Sequence, residues 1–191
     1  TLVISGPNAG GKSIAMKTVG LMAAMLGMGI PVPVSGESTF HLFDRIMVDI
    51  GDAQSVEDDL STYSSHLRNL AFMLQQSDEN TLVLIDEAGT GTDPDEGFSL
   101  ARAVLEGLTA RKARTIVTTH LGGLKAFAHD ADGVANGSMS FDLKTLKPSY
   151  EFRLHVPGAS YAAEIASKVG LPDNVISRAR ELVGSDRIRM E

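Results

Sequence analysis

Eight residues near the start of the chain, Gly6-Pro7-Asn8-Ala9-Gly10-Gly11-Lys12-Ser13, can do phosphate chemistry. They follow the spacing glycine, four residues, Gly-Lys-Ser, the pattern of a phosphate-binding P-loop. The glycines let successive backbone N–H groups turn inward as an anion nest. A helix beginning near Lys12 aims its positive dipole end at the same point. Lys12 adds a charge for the β- and γ-phosphates, and the Ser13 hydroxyl is a ligand for Mg²⁺. The bare motif also fits a glycine-rich strand-to-helix turn, and the rest of the chain weighs between the two.

Thr81-Leu82-Val83-Leu84-Ile85-Asp86-Glu87 supplies the carboxylates. Four consecutive apolar residues read as a buried parallel strand delivering acids to its C-terminal edge. There Asp86 suits the Mg²⁺ shell, and Glu87 the orientation and deprotonation of an attacking water. A third buried strand, Arg114 to Thr119, ends in His120, either a γ-phosphate sensor in register with Asp86-Glu87 or an ordinary exposed histidine. The hydroxyls of Ser61, Thr62, Ser64 and Ser65 gather where a helix is expected to start, as N-caps, as a second phosphate site, or as both. Asp93, Pro94 and Glu96 form a capping arrangement, which competes with a catalytic role for Asp93.

The elements that must position these groups alternate strand and helix, as an α/β fold with a central mostly parallel sheet requires. The spacing predicts a helix from Ser13 to about Met28, extended chain over Ile30–Val34, and a strand from Phe43 to Ile50. A helix comes next with Leu67, Leu70, Ala71 and Leu74 on one face, then one with Leu100, Ala101, Val104, Leu105 and Leu108 turned inward. Leu121 to Ala128 reads as helix, and His129, Asp130 and Asp132 as surface. Beyond Asp132 the pattern becomes two strands, Val134–Phe141 and Ser149–His155, and then two helices, Tyr161–Val169 and Asn174–Val183. That helix pair covers its own sheet or packs on another chain.

With 191 residues, 43% of them hydrophobic, the chain is long enough for one domain with a real core. It has no apolar run of transmembrane length, no signal-like stretch and no cysteine, which suits a reducing cytoplasm and no membrane partner. A net charge of −7 argues against this segment gripping nucleic acid by itself. The chain opens at Thr1 inside a strand, so it is expected to be a piece of a longer protein.

The whole set, in order, resembles the ATPase domain of the MutS family, a P-loop NTPase of ABC type. Gly-Pro-Asn-x-Gly-Gly-Lys-Ser, Asp-Glu-x-Gly-x-Gly-Thr and Thr-Thr-His carry the likeness, which covers nearly the whole chain. Ser61-Thr62-Tyr63-Ser64-Ser65-His66 and Gly91-Thr92-Asp93-Pro94-Asp95-Glu96-Gly97 are similar to the second bacterial MutS branch. The resemblance implies an ATPase core over residues 1–156, lacking its N-terminal strands, and a C-terminal helix-turn-helix dimerisation segment over 157–191. It implies a head-to-tail homodimer with each ATP or ADP between one chain's P-loop and the other's Ser61, and Gln54 reaching Mg²⁺ through water. Residues that stack on adenine would precede Thr1. It further implies suppression of homologous recombination on branched DNA, or action on collided ribosomes, through domains outside this chain, a Smr nuclease domain among them. Alternatives are a mismatch-recognition ATPase, a nucleotide-dependent dimerisation module without catalysis, and a transporter domain, whose Leu-Ser-Gly-Gly-Gln signature does not occur.

Overall fold

Short runs rich in valine, isoleucine, leucine and threonine make the first four strands, a more polar hairpin makes the last two, and the longer stretches between them make the helices. The computed structural model describes residues 1–7, 10–51, 59–159 and 161–189. The strands are β1 (Leu2–Ser5), β2 (Arg45–Asp49), β3 (Thr81–Ile85), β4 (Arg114–Thr119), β5 (Ala135–Asp142) and β6 (Lys147–Leu154). The helices are α1 (Lys12–Gly27), α2 (Asp59–Gln76), α3 (Pro94–Ala110), α4 (Gly122–Asp130), α5 (Ala162–Lys168) and α6 (Asp173–Arg189). They build one six-stranded sheet in the order β2-β3-β4-β1-β5-β6. All neighbouring pairs are parallel except β5 with β6, an antiparallel hairpin.

β3 is buried along its whole length, and its alternation divides the core. Leu82 and Leu84 pack with Met16 and Ala23 of α1. Val83 and Ile85 pack on the opposite face with Leu70 and Met73 of α2, Leu105 and Leu108 of α3, and Leu124 and Phe127 of α4. Each of the larger side chains contributes roughly 1.5–3 kcal/mol on leaving water, so both faces fix the position of β3 and of the acids at its end. The register sets Ser5 beside Thr119, and Ile85 beside both Val117 and Asp49. The residues after β1, β3 and β4 therefore emerge along one edge.

Four expectations are corrected. Ile30–Val34 does not run extended: the chain bends at Pro33 and Val34, where Val34 N–H donates to the Val32 carbonyl at 3.0 Å. β2 is shorter than Phe43–Ile50. Leu100 is 40% exposed, whereas Ala101, Val104, Leu105 and Leu108 are buried as the helical period predicts. α2 begins at Asp59, so Ser64 and Ser65 stand too deep in the helix to cap it.

At the C-terminal end, α5 is tied to the hairpin. Tyr161 stacks on Phe141 at 6.0 Å, and Lys168 Nζ donates to the carbonyls of Leu143 and, at 2.6 Å, Lys144. Ile176 of α6 is buried, but Val169, Leu171, Val175 and Leu182 are exposed. Most of the apolar face expected on this helix pair is uncovered.

Candidate functional site

The glycine loop leaves β1 at Gly6 and enters α1 through Gly11, the N-cap residue, whose φ of 88° is left-handed and favours glycine. Among the described residues no side chain caps α1, and its first turn holds no acid, so its N–H groups face the loop without a built-in anion. Lys12 is almost fully buried, and its Nζ donates to the carbonyls of Gly6 at 2.8 Å and Pro7 at 3.0 Å. Burial holds its pKa below the ordinary lysine value. Glu87 and Asp86 pull it back up, and Lys125 pushes it down.

The carboxylates meet this loop from β3. Ser13 Oγ donates to Asp86 Oδ1 at 2.9 Å, and the Thr118 hydroxyl donates to the same oxygen. Thr118 lies on β4, the strand between β1 and β3, and its hydroxyl also accepts the Glu87 N–H at 2.8 Å. Glu87 adopts φ 51°, a left-handed conformation uncommon for a residue with a Cβ. Its carbonyl is gripped by Thr90 Oγ1 at 2.8 Å, so backbone contacts on both sides impose that conformation. The turn leaves the Glu87 carboxylate half exposed beside His120, with Oε1 and Nε2 3.3 Å apart.

The edge carries more than these groups. Asp49 ends β2 buried, takes Asn69 Nδ2 at 2.8 Å and pairs with Nδ1 of His66. Its backbone carbonyl accepts the Asp86 N–H at 2.9 Å. A cleft of about 500 Å³ opens here, lined by Asp49, Tyr63, His66, Asp86, Glu87 and Thr90. On the other side, Gly158 N–H donates to Ser5 Oγ at 2.8 Å, and its carbonyl takes Lys125 Nζ at 2.7 Å. A Cβ on Gly158 would stand 2.4 Å from the Ser5 carbonyl oxygen, so the segment leading to α5 lies directly on the end of β1.

Residues 2–185 match the family model described as MutS domain V. The chain belongs to the MutS family. It is 52% identical over 184 residues to Endonuclease MutS2 of Thermomicrobium roseum, which covers 96% of this chain and 23% of that protein. It is 47% identical over all 191 residues to Endonuclease MutS2 of Clostridium botulinum (strain Loch Maree / Type A3) and to that of Halothermothrix orenii, in each case 24% of the relative. The chain thus spans about a quarter of the length of these curated relatives, and within the family it is of the MutS2 type.

In this MutS domain, the residues singled out from sequence fall into three groups. Gly6, Pro7, Gly10, Gly11, Lys12, Ser13, Asp86, Glu87 and His120 converge on one sheet edge, as the strand register requires. Asp93 caps α3, accepting the N–H groups of Asp95 at 3.0 Å and Glu96 at 3.4 Å, so the capping alternative holds for it. Asn8, Ala9 and Gln54 lie outside the described residues, and so does the side chain of Ser61 in the first turn of α2. Gly89, just after Glu87, and Gly97, in the first turn of α3, meet backbone to backbone: a Cβ on Gly97 would lie 2.1 Å from the Gly89 carbonyl oxygen. Sequence reasoning assigned no role to Thr118 or Asp49. Asp49 carried a usable signal, a carboxylate closing an apolar strand, the same one that marked Asp86.

Proposed function

We propose that this MutS domain binds ATP with Mg²⁺ and hydrolyses it to ADP and phosphate, as a P-loop NTPase of ABC type. The observation that carries the reading is the Ser13–Asp86 hydrogen bond, 2.9 Å long, beside the buried Lys12. A hydroxyl and a carboxylate oxygen at this separation form a hard oxygen donor set that suits Mg²⁺. Bound there, Mg²⁺ would neutralise charge on the β- and γ-phosphates.

Each residue would then have a distinct part. Loop amides and the α1 N-terminus receive the phosphates, and Lys12 exchanges its contacts with the Gly6 and Pro7 carbonyls for phosphate oxygens. Glu87 orients a water against the terminal phosphorus and accepts its proton. His120, 3.3 Å from Glu87, holds that carboxylate or donates to the phosphate. Asp86, fixed by Ser13 and Thr118, keeps the metal-side oxygen in place.

We assign Ser61 to a partner chain's nucleotide and Gln54 to a water-mediated metal contact, on family likeness. The exposed apolar residues of α5–α6 support a homodimer through that helix pair, where closure couples nucleotide state to distant parts. For the whole protein, we propose DNA binding and suppression of recombination on branched DNA, with collided ribosomes as a second target. Any nuclease activity belongs outside this chain. The relatives' name, Endonuclease MutS2, supports that reading.

The experiment is the protein-concentration dependence of ATP turnover with Mg²⁺, beside calorimetric ATP binding. Turnover per molecule that rises with concentration supports a composite dimer site. Failure to bind ATP at all overturns the proposal.

A further inference from the structure

The β5–β6 hairpin has an irregularity next to the glycine loop. Met139 pairs with Phe152 and Phe141 with Pro148, so Ser140 alone stands opposite Ser149, Tyr150 and Glu151. Bulges of this kind re-aim a side chain and are common beside active sites. Tyr150 occupies this one with φ 58°, a left-handed backbone that disfavours any residue with a Cβ. Its ring lies against the loop: Cδ1 and Cε1 are 3.1 and 3.2 Å from the place a Cβ on Gly11 would occupy. The residue is nevertheless 60% exposed. Strained backbone holds a large aromatic against the loop with most of its surface uncovered, a poor arrangement for a packing role.

Strand order gives the ring a direction. β4 with His120 and β3 with Asp86 and Glu87 lie on one side of β1, and β5 and β6 lie on the other. A triphosphate whose terminal phosphate faces Glu87 runs from the loop toward the hairpin, and its base end arrives beside Tyr150. We infer that Tyr150 is the stacking platform for the nucleobase, a specificity-determining residue that takes a purine on its exposed face. The inference rests on the nucleotide reading of the site. It departs from the expectation that the base-stacking residues all precede Thr1. Stacking tolerates either purine, since every base has a π-face, and a purine's larger ring system buries more apolar area than a pyrimidine's.

The chain contains no tryptophan, so Tyr150→Trp creates a single reporter. In the full chain, ATP and GTP should quench that fluorescence, and inorganic tripolyphosphate, bound through Lys12, should not. Tyr150→Ala should weaken ATP binding about tenfold by calorimetry and leave tripolyphosphate binding unchanged, since base–aromatic stacking is worth about that factor or more. Tyr150→Phe should bind ATP as the unaltered chain does. Equal ATP affinity in Tyr150→Ala, with binding still lost in Lys12→Ala, overturns the stacking role and leaves the nucleotide reading standing. A loss in Tyr150→Phe as large as in Tyr150→Ala also overturns stacking, because the hydroxyl would then be the contact. If the unaltered chain binds neither ATP nor tripolyphosphate, the nucleotide reading falls and this inference with it.

Discussion

Ser13 and Asp86, 73 residues apart in sequence, are joined by a 2.9 Å hydrogen bond from Oγ to Oδ1. The bond connects the first turn of α1 to the end of β3, and the Thr118 hydroxyl donates to the same carboxylate oxygen. Ser13→Ala and Asp86→Asn should each lower Mg²⁺-dependent ATP turnover by about 10²-fold, the scale set by losing a positioning group. Because the two residues act as a unit, the double variant should lose far less than the product of the single losses. Steady-state turnover of the three variants tests this, and fully multiplicative losses would refute it.

Glu87 and His120 are expected to separate in their effects. Glu87→Gln keeps the shape and removes the base, so turnover should fall by about 10²–10⁴-fold with ATP binding retained. His120→Ala leaves that base in place and should cost less. Single-turnover kinetics beside calorimetry distinguishes them. An equal or larger loss in His120→Ala would move the base assignment to histidine.

Gly158 has no room for a side chain. Ala at this position would put a Cβ 2.4 Å from the Ser5 carbonyl oxygen and close to Gly6 N. The backbone there must give way, at a cost of about 1–3 kcal/mol, or roughly 2–4 °C in Tm for each kcal/mol in a chain of this length. ATP affinity should fall with stability, since the displaced atoms open the glycine loop. Thermal melts with and without ATP measure both, and an unchanged Tm would rule out the tight contact.

The start of β3 should respond to acid. Asp78 accepts Thr81 Oγ1 at 2.7 Å and Asn80 N–H at 3.1 Å, and pairs with Arg45 at 2.8 Å. The Thr81 hydrogen bond, then the Asn80 N–H and the Arg45 charge, hold its carboxyl below the ordinary aspartate range. A carboxyl lowered in the folded state stabilises above its unfolded pKa, about 3.9, and that contribution disappears as pH falls through the lower folded value. The chain should therefore melt above Asp78→Asn at pH 7, and the difference should shrink steadily below about pH 4. A gap that persists in acid would assign the effect to shape and not to charge.

What could be read from sequence was what short stretches determine for themselves. The glycine loop into α1, the apolar run ending in Asp86 and the Asp93 cap each depend on neighbours a few residues away. Thr118 stood out only within the Thr-Thr-His run and without a role of its own, because that role comes from β4 lying between β1 and β3. Leu100 sits on a helical period that points inward, but at the margin of that face, where it stays 40% exposed. Ser64 and Ser65 suggested a cap because hydroxyls favour helix starts, yet Asp59 upstream already belongs to α2. Tyr150 could not be distinguished from any other strand aromatic until the bulge and its left-handed backbone were seen.

The contact between Gly89 and Gly97 also bears on how this segment can change over generations. Each glycine's backbone occupies the space where the other's Cβ would stand, so a side chain at either position evicts its counterpart. The residues between them cannot grow or shrink without parting the two. An inserted or deleted residue in this stretch should therefore cost more than the exchange of one residue for another. The eight steps of chain from Gly89 to Gly97 thus act as a gauge, set by a contact between two backbones and indifferent to most of the side chains that fill it.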